Sequence, residues 1–409
     1  MEIPLGKSAK EIAYPSAASD GGATLPGKRV RTEKTIPELD GVRGLAILLV
    51  LLVHSNPTPA VPAAVQKMLS IGWCGVDLFF VLSGFLISGI LLDTRGAENY
   101  FSSFYGRRVL RIFPLYLLSV IAYFHVVLPL AHHFGQLPQD TNVLEPWFWF
   151  HLSNWKIAFG NEVLFIGHFW SLAIEEQFYL FWPLVIFIAG RKWFPYVCLS
   201  VMVSSFGLRM LYSGHHFAHD FLYVLTPFRL ESLAFGSLAA IAVRNQRHLA
   251  LVKRWLPAIA AAGILLLFGV VVAGGTGEPY YAPMATWGFT SFALISTALV
   301  LFAYLRSGSS QWLSSLLRSP VLRSFGKYSY AMYVLHAPIF ILETNTIARV
   351  SLRLPEDLRF VFWLATLLER IALTFGAALL SWHLVEKHFL RLKRFFTVKY
   401  KPVQSSQEG

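Results

Sequence analysis

An arginine and a histidine eleven residues apart, inside an apolar stretch, are the residues of this sequence that could do chemistry. The segment 36–55, IPELDGVRGLAILLVLLVHS, carries Arg43 near its start and His54 near its end. Eleven residues of helix turn through about 1100°, about 20° beyond three full turns, so both side chains share one face about 16 Å apart along the axis. If Arg43 lies at a membrane boundary, His54 lies near the midplane of a hydrocarbon core about 30 Å thick. An ionisable residue at that depth predicts a functional residue; the alternative is a buried histidine bonded to a backbone carbonyl.

Three acidic residues fall inside later apolar segments. Asp77 lies in the second segment, and Glu175 and Glu176 lie in the fourth. Counted from the nearest boundary, Asp77 and Glu175 both come out about 24 Å above the cytoplasmic edge. Because Glu175 and Glu176 are 100° apart on a helix, they cannot both face one cavity. We expect one of them to pair with a cation such as Arg43 or Arg229.

These charges predict a wet pocket in the membrane, reached from both leaflets. A histidine near the midplane, oriented by a carboxylate, can take a proton from an alcohol at neutral pH. The alternative is that the charges form a structural ion network that holds the helices together. The candidate catalytic residues are therefore His54, Arg43, Asp77, Glu175 and Glu176.

A cluster of arginines precedes the third apolar segment, in the predicted cytoplasmic loop YGRRVLRIFPLY. Arg107, Arg108 and Arg111 bring three guanidinium groups together at helical spacing. Guanidinium forks suit phosphate oxygens and stay charged at any relevant pH. The loop is the predicted docking site for the phosphates of a cytosolic donor. Alternatively, the arginines are anchors that contact lipid phosphates.

The composition indicates a membrane protein. Of 409 residues, 55% are hydrophobic and 14% are charged, whereas about 25% of residues are charged in a soluble protein. Apolar segments, allowing for tilt and polar interruptions, predict an all-α polytopic fold with about ten transmembrane helices. They lie at 39–56, 73–92, 112–131, 169–189, 194–212, 220–243, 255–274, 284–305, 321–345 and 360–385.

The basic residues predict the orientation of these spans. Of the 35 Lys and Arg residues, 26 fall on one side, 5 on the other and the rest lie in or at the spans. Since cytoplasmic loops carry the excess of positive charge, both termini are predicted to be cytoplasmic. The net charge of +12 thus reflects topology, and we expect membrane lipid but no nucleic acid as a partner. We expect a disordered cytoplasmic tail at 1–35 without a signal peptide, a membrane domain at 36–390 and a basic cytoplasmic tail at 391–409.

The predicted outer loop 132–168 is rich in aromatic residues, among them Trp147, Trp149 and Trp155. Tryptophans at headgroup level are ordinary membrane anchors. The alternative is a lid or a ledge that binds an acceptor, since sugars stack on tryptophan. The histidines of this loop and those of the segment 215–219 match no closed metal site, and carboxylates beside them are scarce, so no metal is expected.

Five of these stretches together resemble motifs of the acyltransferase 3 family of bacterial integral membrane proteins, which O-acylate sugars and other acceptors. The similarity runs from about 37 to 390, with the motifs in the order of the family. They are LDGVRG with the Arg43-to-His54 spacing, VDLFFVLSGFLISGIL (Val76 to Leu91), RRVLRIFPLY (Arg107 to Tyr116), HFWSLAIEEQFYLFWP (His168 to Pro183) and FGKYSYAMYVLH (Phe325 to His336).

The resemblance implies a bacterial inner-membrane O-acyltransferase. It implies acyl-CoA, with acetyl-CoA favoured, as a donor bound on the cytoplasmic side by Arg107, Arg108 and Arg111, and a carbohydrate or glycolipid acceptor. The family's motif residues correspond to His54, Arg43, Asp77, Glu175 and Glu176 in this chain. No appended hydrolase-like domain is evident, so we expect a stand-alone membrane unit. The alternative from another class is a secondary transporter or a flippase-type partner of polysaccharide export, although no internal repeat supports a transporter.

Overall fold

The computed structural model describes residues 36–55, 61–133, 144–159, 166–214, 218–274, 277, 279 and 281–401. Within these residues every regular element is a helix and no strand is present, so the predicted all-α class is confirmed for the part that is described. The predicted tail 1–35 and the last residues of the chain, from 402, lie outside the described residues. The same holds for the side chains of the histidine-rich segment 215–219 and for much of the predicted outer loop.

The first half of the chain contains eight α-helices, the last of which is the longest. They are α1 (Pro37–Val53), α2 (Ala63–Ser70), α3 (Cys74–Thr94), α4 (Tyr100–Ala122), α5 (Leu128–His133), α6 (Glu145–Trp149), α7 (Ser153–Ala158) and α8 (Phe169–Tyr212). Between α4 and α5 the helix continues as a π-helical turn, Tyr123–Val127.

The second half continues with helices of the same kind. They are α9 (Ala218–Val224), α10 (Thr226–Ala242), α11 (Gln246–Gly274), α12 (Phe289–Leu305), α13 (Trp312–Leu317), α14 (Pro320–Arg353), α15 (Glu356–Ser381) and α16 (Lys387–Arg391). A 3-10 turn, Leu392–Phe396, follows α16.

Seven helices of the described part are long and apolar enough to cross a membrane. They are Ala63–Thr94, Tyr100–Leu130, Gly167–Tyr212, Phe221–Ala242, Gln246–Ala273, Met284–Leu305 and Glu356–Phe396. Each of the ten predicted spans overlaps a helix, but α1 has only 17 residues, and α14 carries many polar side chains. The protein is therefore a multi-pass helical membrane protein, while the count of ten and the orientation of the termini stay predictions.

The 44-residue helix α8 is interrupted at Gly190, which separates the predicted spans 169–189 and 194–212. Gly190 has φ 60° and ψ −178°, a conformation that glycine adopts readily and that an L side chain would strain. The rings of Trp182 and Phe194 lie 5.5 Å apart, whereas twelve residues of continuous helix would separate them by about 18 Å. The chain therefore reverses its direction at Gly190, as two consecutive spans require.

The sequence predicts that the three arginines lie in a loop, and this prediction is wrong. Helix α4 begins at Tyr100, so Arg107, Arg108 and Arg111 lie inside the helix rather than in a loop before it. The charges led us to place this segment outside the membrane. Leucine and arginine are both good helix formers, and long basic side chains near a helix end can extend their charged groups towards water.

Helix α1 packs closely against α14 because glycines on both helices leave room for backbone contact. A Cβ atom on Gly44 would overlap the backbone of Leu322 on α14, and one on Gly326 of α14 would overlap the backbone of Asp40 on α1, so side chains there would push the two helices apart. The first turn of α1 is held by the Glu38 carboxylate, which accepts hydrogen bonds from the Gly308 amide at 2.7 Å and from the hydroxyls of Ser307 and Ser314 at 2.8 and 3.0 Å. This packing sets the positions of Arg43 and of the far end of the helix.

Helix α1 ends at Val53, and His54 is its C-cap residue. The sequence predicts this end, since prolines follow directly in the segment IPELDGVRGLAILLVLLVHSNPTP. The residues 56–60 themselves lie outside the described part. His54 therefore lies at the point where the helix stops and backbone carbonyls lose their helical partners.

Candidate active site

Four helices meet around an open pocket of about 260 Å³. Its polar lining comes from Arg43 on α1, Ser83 on α3, Arg108 on α4 and Tyr179 on α8. Its apolar lining comes from α3 alone, from Phe79, Leu82, Leu86 and Ile87. The pocket thus joins the first four long helices of the chain, and two of the predicted site residues, Arg43 and Arg108, contribute to it.

A hydrogen-bonded group connects Glu175 to this lining. The Ser83 hydroxyl donates to Oε1 of Glu175 at 2.7 Å. The Tyr179 hydroxyl lies 3.2 Å from Oε2 of Glu175 and 3.0 Å from Oγ of Ser83. Glu175 and Tyr179 are four residues apart on α8 and so share one face of the helix. The carboxylate is therefore held at the pocket wall by neighbouring hydroxyl donors.

The two arginines of the pocket have carboxylates near them but are not enclosed by them. The guanidinium carbon of Arg108 lies 5.4 Å from the ring centre of Tyr179 and 5.9 Å from that of Phe104. Arg43 keeps about a third of its side chain exposed (34%), and its Nη1 lies 3.4 Å from Asp40 Oδ1. Neither guanidinium group is closed off in a buried ion pair, so both remain available to an anion.

The other two arginines of α4 are half-buried and lie outside the pocket lining. Arg111 interacts electrostatically with Glu386 on the far side of the helix. Arg107 forms no hydrogen bond or ion pair with a residue that the structure describes. Of the predicted phosphate-binding trio, only Arg108 therefore lines the pocket with Arg43, although Arg111 also interacts electrostatically with Arg43.

Asp77 lies in a closed ion pair away from the pocket. Its Oδ2 accepts a hydrogen bond from Arg229 Nη2 at 2.9 Å, and its Oδ1 accepts one from the Ser232 hydroxyl at 2.8 Å. Both charged side chains are almost completely buried. Of the two cations named as examples of a partner for Glu175 or Glu176, Arg229 instead pairs with Asp77, because α3 packs directly against α10. Glu175 interacts electrostatically with the other, Arg43, and with Arg108.

Glu176 faces away from Glu175, as the 100° step along the helix predicts. It is half-buried and interacts electrostatically with Arg108 and with Tyr116 and Tyr330. It does not line the pocket. The two adjacent glutamates therefore have different surroundings, and the catalytic role predicted for each stays a prediction.

His54 belongs to a cluster of three imidazole rings. Its ring centre lies 4.9 Å from that of His336 on α14. The ring centre of His336 lies 4.7 Å from that of His168, next to the start of α8. Nδ1 of His54 lies 2.7 Å from the Val50 carbonyl oxygen, so the bond to a backbone carbonyl is present in a half-buried ring. The described residues contain no group of three or more side chains arranged to hold a metal ion.

Phe79 and Tyr333 lie between the pocket and the histidine cluster. The Phe79 ring lines the pocket and lies 6.2 Å from the Tyr333 ring, measured between centres. The Tyr333 ring in turn lies 5.3 Å from His168 and 5.6 Å from His336. The pocket lining does not include His54. An arginine-lined pocket and a histidine cluster are therefore neighbours, separated by two aromatic rings.

The aromatic residues of the outer segment mostly contact their own segment. The Trp149 indole donates to Glu145 at 2.9 Å, and the Lys156 ammonium lies over the Trp147 ring. His151 has a φ of 52° and is buried, with its ring centre 4.2 Å from that of Tyr116. Burial lowers the pKa of His151 to about 4, so the ring is neutral at physiological pH. The membrane anchors and the acceptor-binding ledge both stay predictions.

Ser83, Tyr179, His168 and His336 are site residues to which sequence reasoning assigned no role. A usable signal existed, because all four lie inside the motifs that carry the family resemblance. His168 opens one of these blocks and His336 closes another. Polar side chains in apolar segments deserve the same attention as charged ones, since an intramembrane polar group needs a partner.

The comparisons with known proteins identify the family of the chain. The acyltransferase 3 family model, described as an acyltransferase domain, matches residues 36–386. The chain is 29% identical over 406 residues to the peptidoglycan O-acetyltransferase OatA of Listeria monocytogenes, covering 91% of this chain and 60% of that protein. It is 30% identical over 373 residues to YrhL of Bacillus subtilis, provisionally named a peptidoglycan O-acetyltransferase, covering 88% of this chain and 55% of that protein.

The chain matches only part of the length of these relatives. Against a provisionally named O-acetyltransferase of Staphylococcus aureus the chain is 29% identical over 325 residues, which is 74% of this chain and 50% of that protein. The chain thus spans about half the length of the curated relatives it matches. No solved structure matches the chain. With a family model that covers nearly all of the described helices, the resemblance seen in the five motifs is confirmed, and the chain belongs to the acyltransferase 3 family of membrane proteins.

Proposed function

We propose that this protein is a membrane O-acetyltransferase of a bacterial inner membrane. It moves an acyl group, favouring acetyl, from cytosolic acyl-CoA to a hydroxyl of a carbohydrate or glycolipid. The observation that carries the proposal is the pocket between α1, α3, α4 and α8, lined by two guanidinium groups that are not enclosed in buried ion pairs, beside a half-buried histidine on the same helix as Arg43. The proposal includes ten spans with both termini in the cytoplasm.

The pocket fits the donor as a site for anionic groups. Arg43 and Arg108 supply several N–H donors within one small opening, and a pair of guanidinium groups is well suited to phosphate oxygens. The apolar wall from α3 suits the uncharged part of a thioester donor. Because acyl-CoA is far larger than the opening, most of it would lie outside, where Arg107 and Arg111 on the same helix add positive charge.

His54 has the hydrogen bonding of a general base. A carbonyl oxygen only accepts, so the bond to Val50 requires that Nδ1 of the neutral ring carries the proton, and Nε2 then carries the free lone pair. In the proposed reaction Nε2 takes the proton of the acceptor hydroxyl, the acceptor oxygen bonds to the acyl carbon and the carbon–sulfur bond breaks. The proton then goes to the thiolate of the leaving CoA. Arg43 lies about 16 Å from His54 along α1, so in this scheme it holds the anionic part of the donor rather than the reacting carbonyl.

Two routes share this arrangement. In the direct route the acceptor attacks the thioester, and in the other route His54 first accepts the acyl group and then passes it on. In either route the acyl group passes the aromatic pair of Phe79 and Tyr333, which lies between the arginine pocket and the histidine cluster. A small acyl group suits such a passage best, and this favours acetyl as the transferred group.

The proposed acceptor class is a hydroxylated sugar. The named relatives act on peptidoglycan or are provisionally named for it, and those names describe longer proteins than this chain. A carbohydrate remains the acceptor that best suits a base with a free lone pair in a half-buried site. Membrane lipid, the remaining expected partner of the chain, belongs to the same proposal.

The test is acetyl transfer by the purified full chain in lipid nanodiscs, with labelled acetyl-CoA and a panel of methyl glycosides and peptidoglycan fragments. We expect labelled product with the wild type and a loss of at least about a thousandfold with His54→Ala, because the base is lost. His248→Ala is the matched control, since His248 is an exposed histidine on α11.

Full transfer by His54→Ala would remove His54 from the reaction. Uptake of an acceptor into sealed vesicles without any product would favour the alternative, a transporter or a flippase-type partner. In that case acetyl-CoA would also give no saturable binding, and Arg43→Gln would leave uptake unchanged.

A further inference from the structure

We propose that His336 and His54 together form a subsite for two neighbouring hydroxyl groups of the acceptor, a diol, with one hydroxyl on each Nε2 atom. This inference rests on the proposed function and deepens it, because it assigns a binding role to His336 and a chemical pattern to the acceptor. His54 removes a proton from the hydroxyl that reacts. His336 accepts a hydrogen bond from the hydroxyl beside it and takes no part in proton transfer.

The two rings are close enough to contact one small molecule together. Their centres lie 4.9 Å apart and their planes are inclined by 69°. His336 is completely buried, whereas His54 is half-buried at the end of α1. An acceptor therefore approaches from the side of His54 and reaches His336 behind it.

The backbone fixes the same hydrogen-bonding state in both rings. Nδ1 of His336 lies 2.7 Å from the carbonyl oxygen of Tyr333, and Nδ1 of His54 lies 2.7 Å from that of Val50. Since each carbonyl can only accept, each neutral ring carries its proton on Nδ1 and presents Nε2 as an acceptor. Two adjacent acceptors call for two donors, and a pair of neighbouring hydroxyls supplies them.

The Nε2 atom of His336 lacks a partner that its burial calls for. It is buried and has no hydrogen-bond partner among the residues that the structure describes. A buried acceptor without a donor costs about 1–3 kcal/mol, so such groups are normally satisfied. A ligand hydroxyl that donates to Nε2 would remove this cost. We therefore interpret Nε2 of His336 as part of a binding site rather than as an unsatisfied atom of the core.

The surroundings restrict what else could fill this position. Apart from His54, the rings in contact with His336 are His168, Tyr333 and Phe340. The Tyr333 hydroxyl is already engaged, at 2.5 Å from the Ser171 hydroxyl and 3.0 Å from the His168 carbonyl oxygen. A metal ion is not the occupant that this arrangement favours, because the described residues contain no group arranged to hold one.

The experiment compares a diol with a single alcohol on the same ring. The probes are trans-1,2-cyclohexanediol and cyclohexanol, given with labelled acetyl-CoA to the full chain in nanodiscs. For the wild type we expect kcat/KM to be about tenfold higher with the diol, since one additional hydrogen bond to a buried acceptor is worth about that factor. Because the diol has two equivalent hydroxyls, its kcat/KM is divided by two before the comparison.

His336→Phe keeps a ring of similar size and removes the acceptor nitrogen. We expect it to reduce the diol preference, the ratio of kcat/KM for the diol to kcat/KM for cyclohexanol, to about one. His336→Gln, which offers an amide oxygen, restores part of the preference. His151→Phe is the matched control, since His151 is also a buried histidine packed against aromatic rings.

Two results would overturn the inference: a wild type that does not prefer the diol, or a His336→Phe variant that loses activity equally with both probes. The second result would mean that His336 has only a structural role. If neither probe is acetylated, saturation-transfer NMR of the bound probes makes the same comparison without turnover. The proposed function fails when no acceptor of any kind is acetylated, whereas this inference fails when the diol preference is absent or insensitive to His336.

Discussion

Two groups of charged side chains lie among the helices, and they differ in what the charges face. The first group is closed: Asp77 pairs with Arg229, and Arg209 pairs with Glu231, with all four side chains at 5% exposure or less. The second group is open, since Arg43 and Arg108 line a pocket. Both groups combine arginines with carboxylates.

The comparison indicates that a charged residue among the helices marks a functional site only where no opposite charge encloses it. In the closed group each charge lies against an opposite one, and the pairs connect α3 and α8 to α10. Such pairs hold helices together. In the open group Arg43 and Arg108 have Asp40, Glu175 and Glu176 nearby, but both guanidinium groups still face the pocket, where an anionic ligand can reach them.

The first way to test the comparison is to break a closed pair. Asp77→Ala leaves the Arg229 guanidinium buried without its carboxylate, which we expect to cost about 3–5 kcal/mol of unfolding free energy. The measurement is denaturant or thermal unfolding of the purified chain in detergent, followed by tryptophan fluorescence. Transfer activity of the protein that stays folded should be close to that of the wild type.

The control for this change removes both charges. Asp77→Leu with Arg229→Met leaves no unpaired charge, so the double variant should be clearly more stable than Asp77→Ala. An Asp77→Ala protein that is as stable as the wild type but inactive with acetyl-CoA would instead restore the catalytic role that the sequence predicts for Asp77.

The second test removes one charge from the open group. Arg108→Gln removes a charge that faces the pocket, while Glu175 keeps its hydrogen bonds from Ser83 and Tyr179, so the unfolding free energy should change by less than about 1 kcal/mol. Affinity for CoA, measured by calorimetry, should fall by about ten- to a hundredfold, as expected for the loss of one charged hydrogen-bonding group worth about 1.5–3 kcal/mol.

Arg107→Gln is the comparison variant, because Arg107 is the next residue on the same helix but does not line the pocket. We expect it to weaken CoA binding by no more than about threefold, through the general loss of positive charge. If both variants lost affinity equally, the arginines would act as a diffuse basic surface, and the pocket would have no special role.

The sequence predicts much of the fold because the fold is encoded locally. Helix class, the approximate position of each apolar segment, the end of α1 at His54 and the break near Gly190 all follow from apolar runs and from proline and glycine. The same reasoning fails for the arginines at 107–111. Charge suggests a loop there, whereas the helix starts at Tyr100 and carries the charges inside it.

The site is less predictable, because pairing depends on which helices become neighbours. Periodicity predicts that Glu175 and Glu176 face different ways, and the structure agrees. It cannot predict that Asp77 meets Arg229 across α3 and α10, nor that His336 meets His54 across α14 and α1. These contacts join residues more than 150 positions apart, and no local pattern contains that information.

The third test uses two serines of one helix, one in each kind of surroundings. The Ser83 hydroxyl donates to Glu175 at the pocket wall, while the Ser88 hydroxyl lies within a buried network, donating to Ser237 and accepting from Trp182. Each loses its hydrogen bonds on substitution by alanine, so each variant should lose about 1 kcal/mol of unfolding free energy. A stability measurement alone therefore does not distinguish them.

Their effects on function should separate the two groups. Ser83→Ala removes a donor that orients the Glu175 carboxylate beside Arg108, so we expect the KM for acetyl-CoA to rise by about two- to fivefold. Ser88→Ala touches only closed contacts and should leave KM unchanged. Equal KM values for both variants would mean that the orientation of Glu175 does not matter to donor binding. The open group would then reduce to its two arginines, and Glu175 would belong with the closed, structural charges.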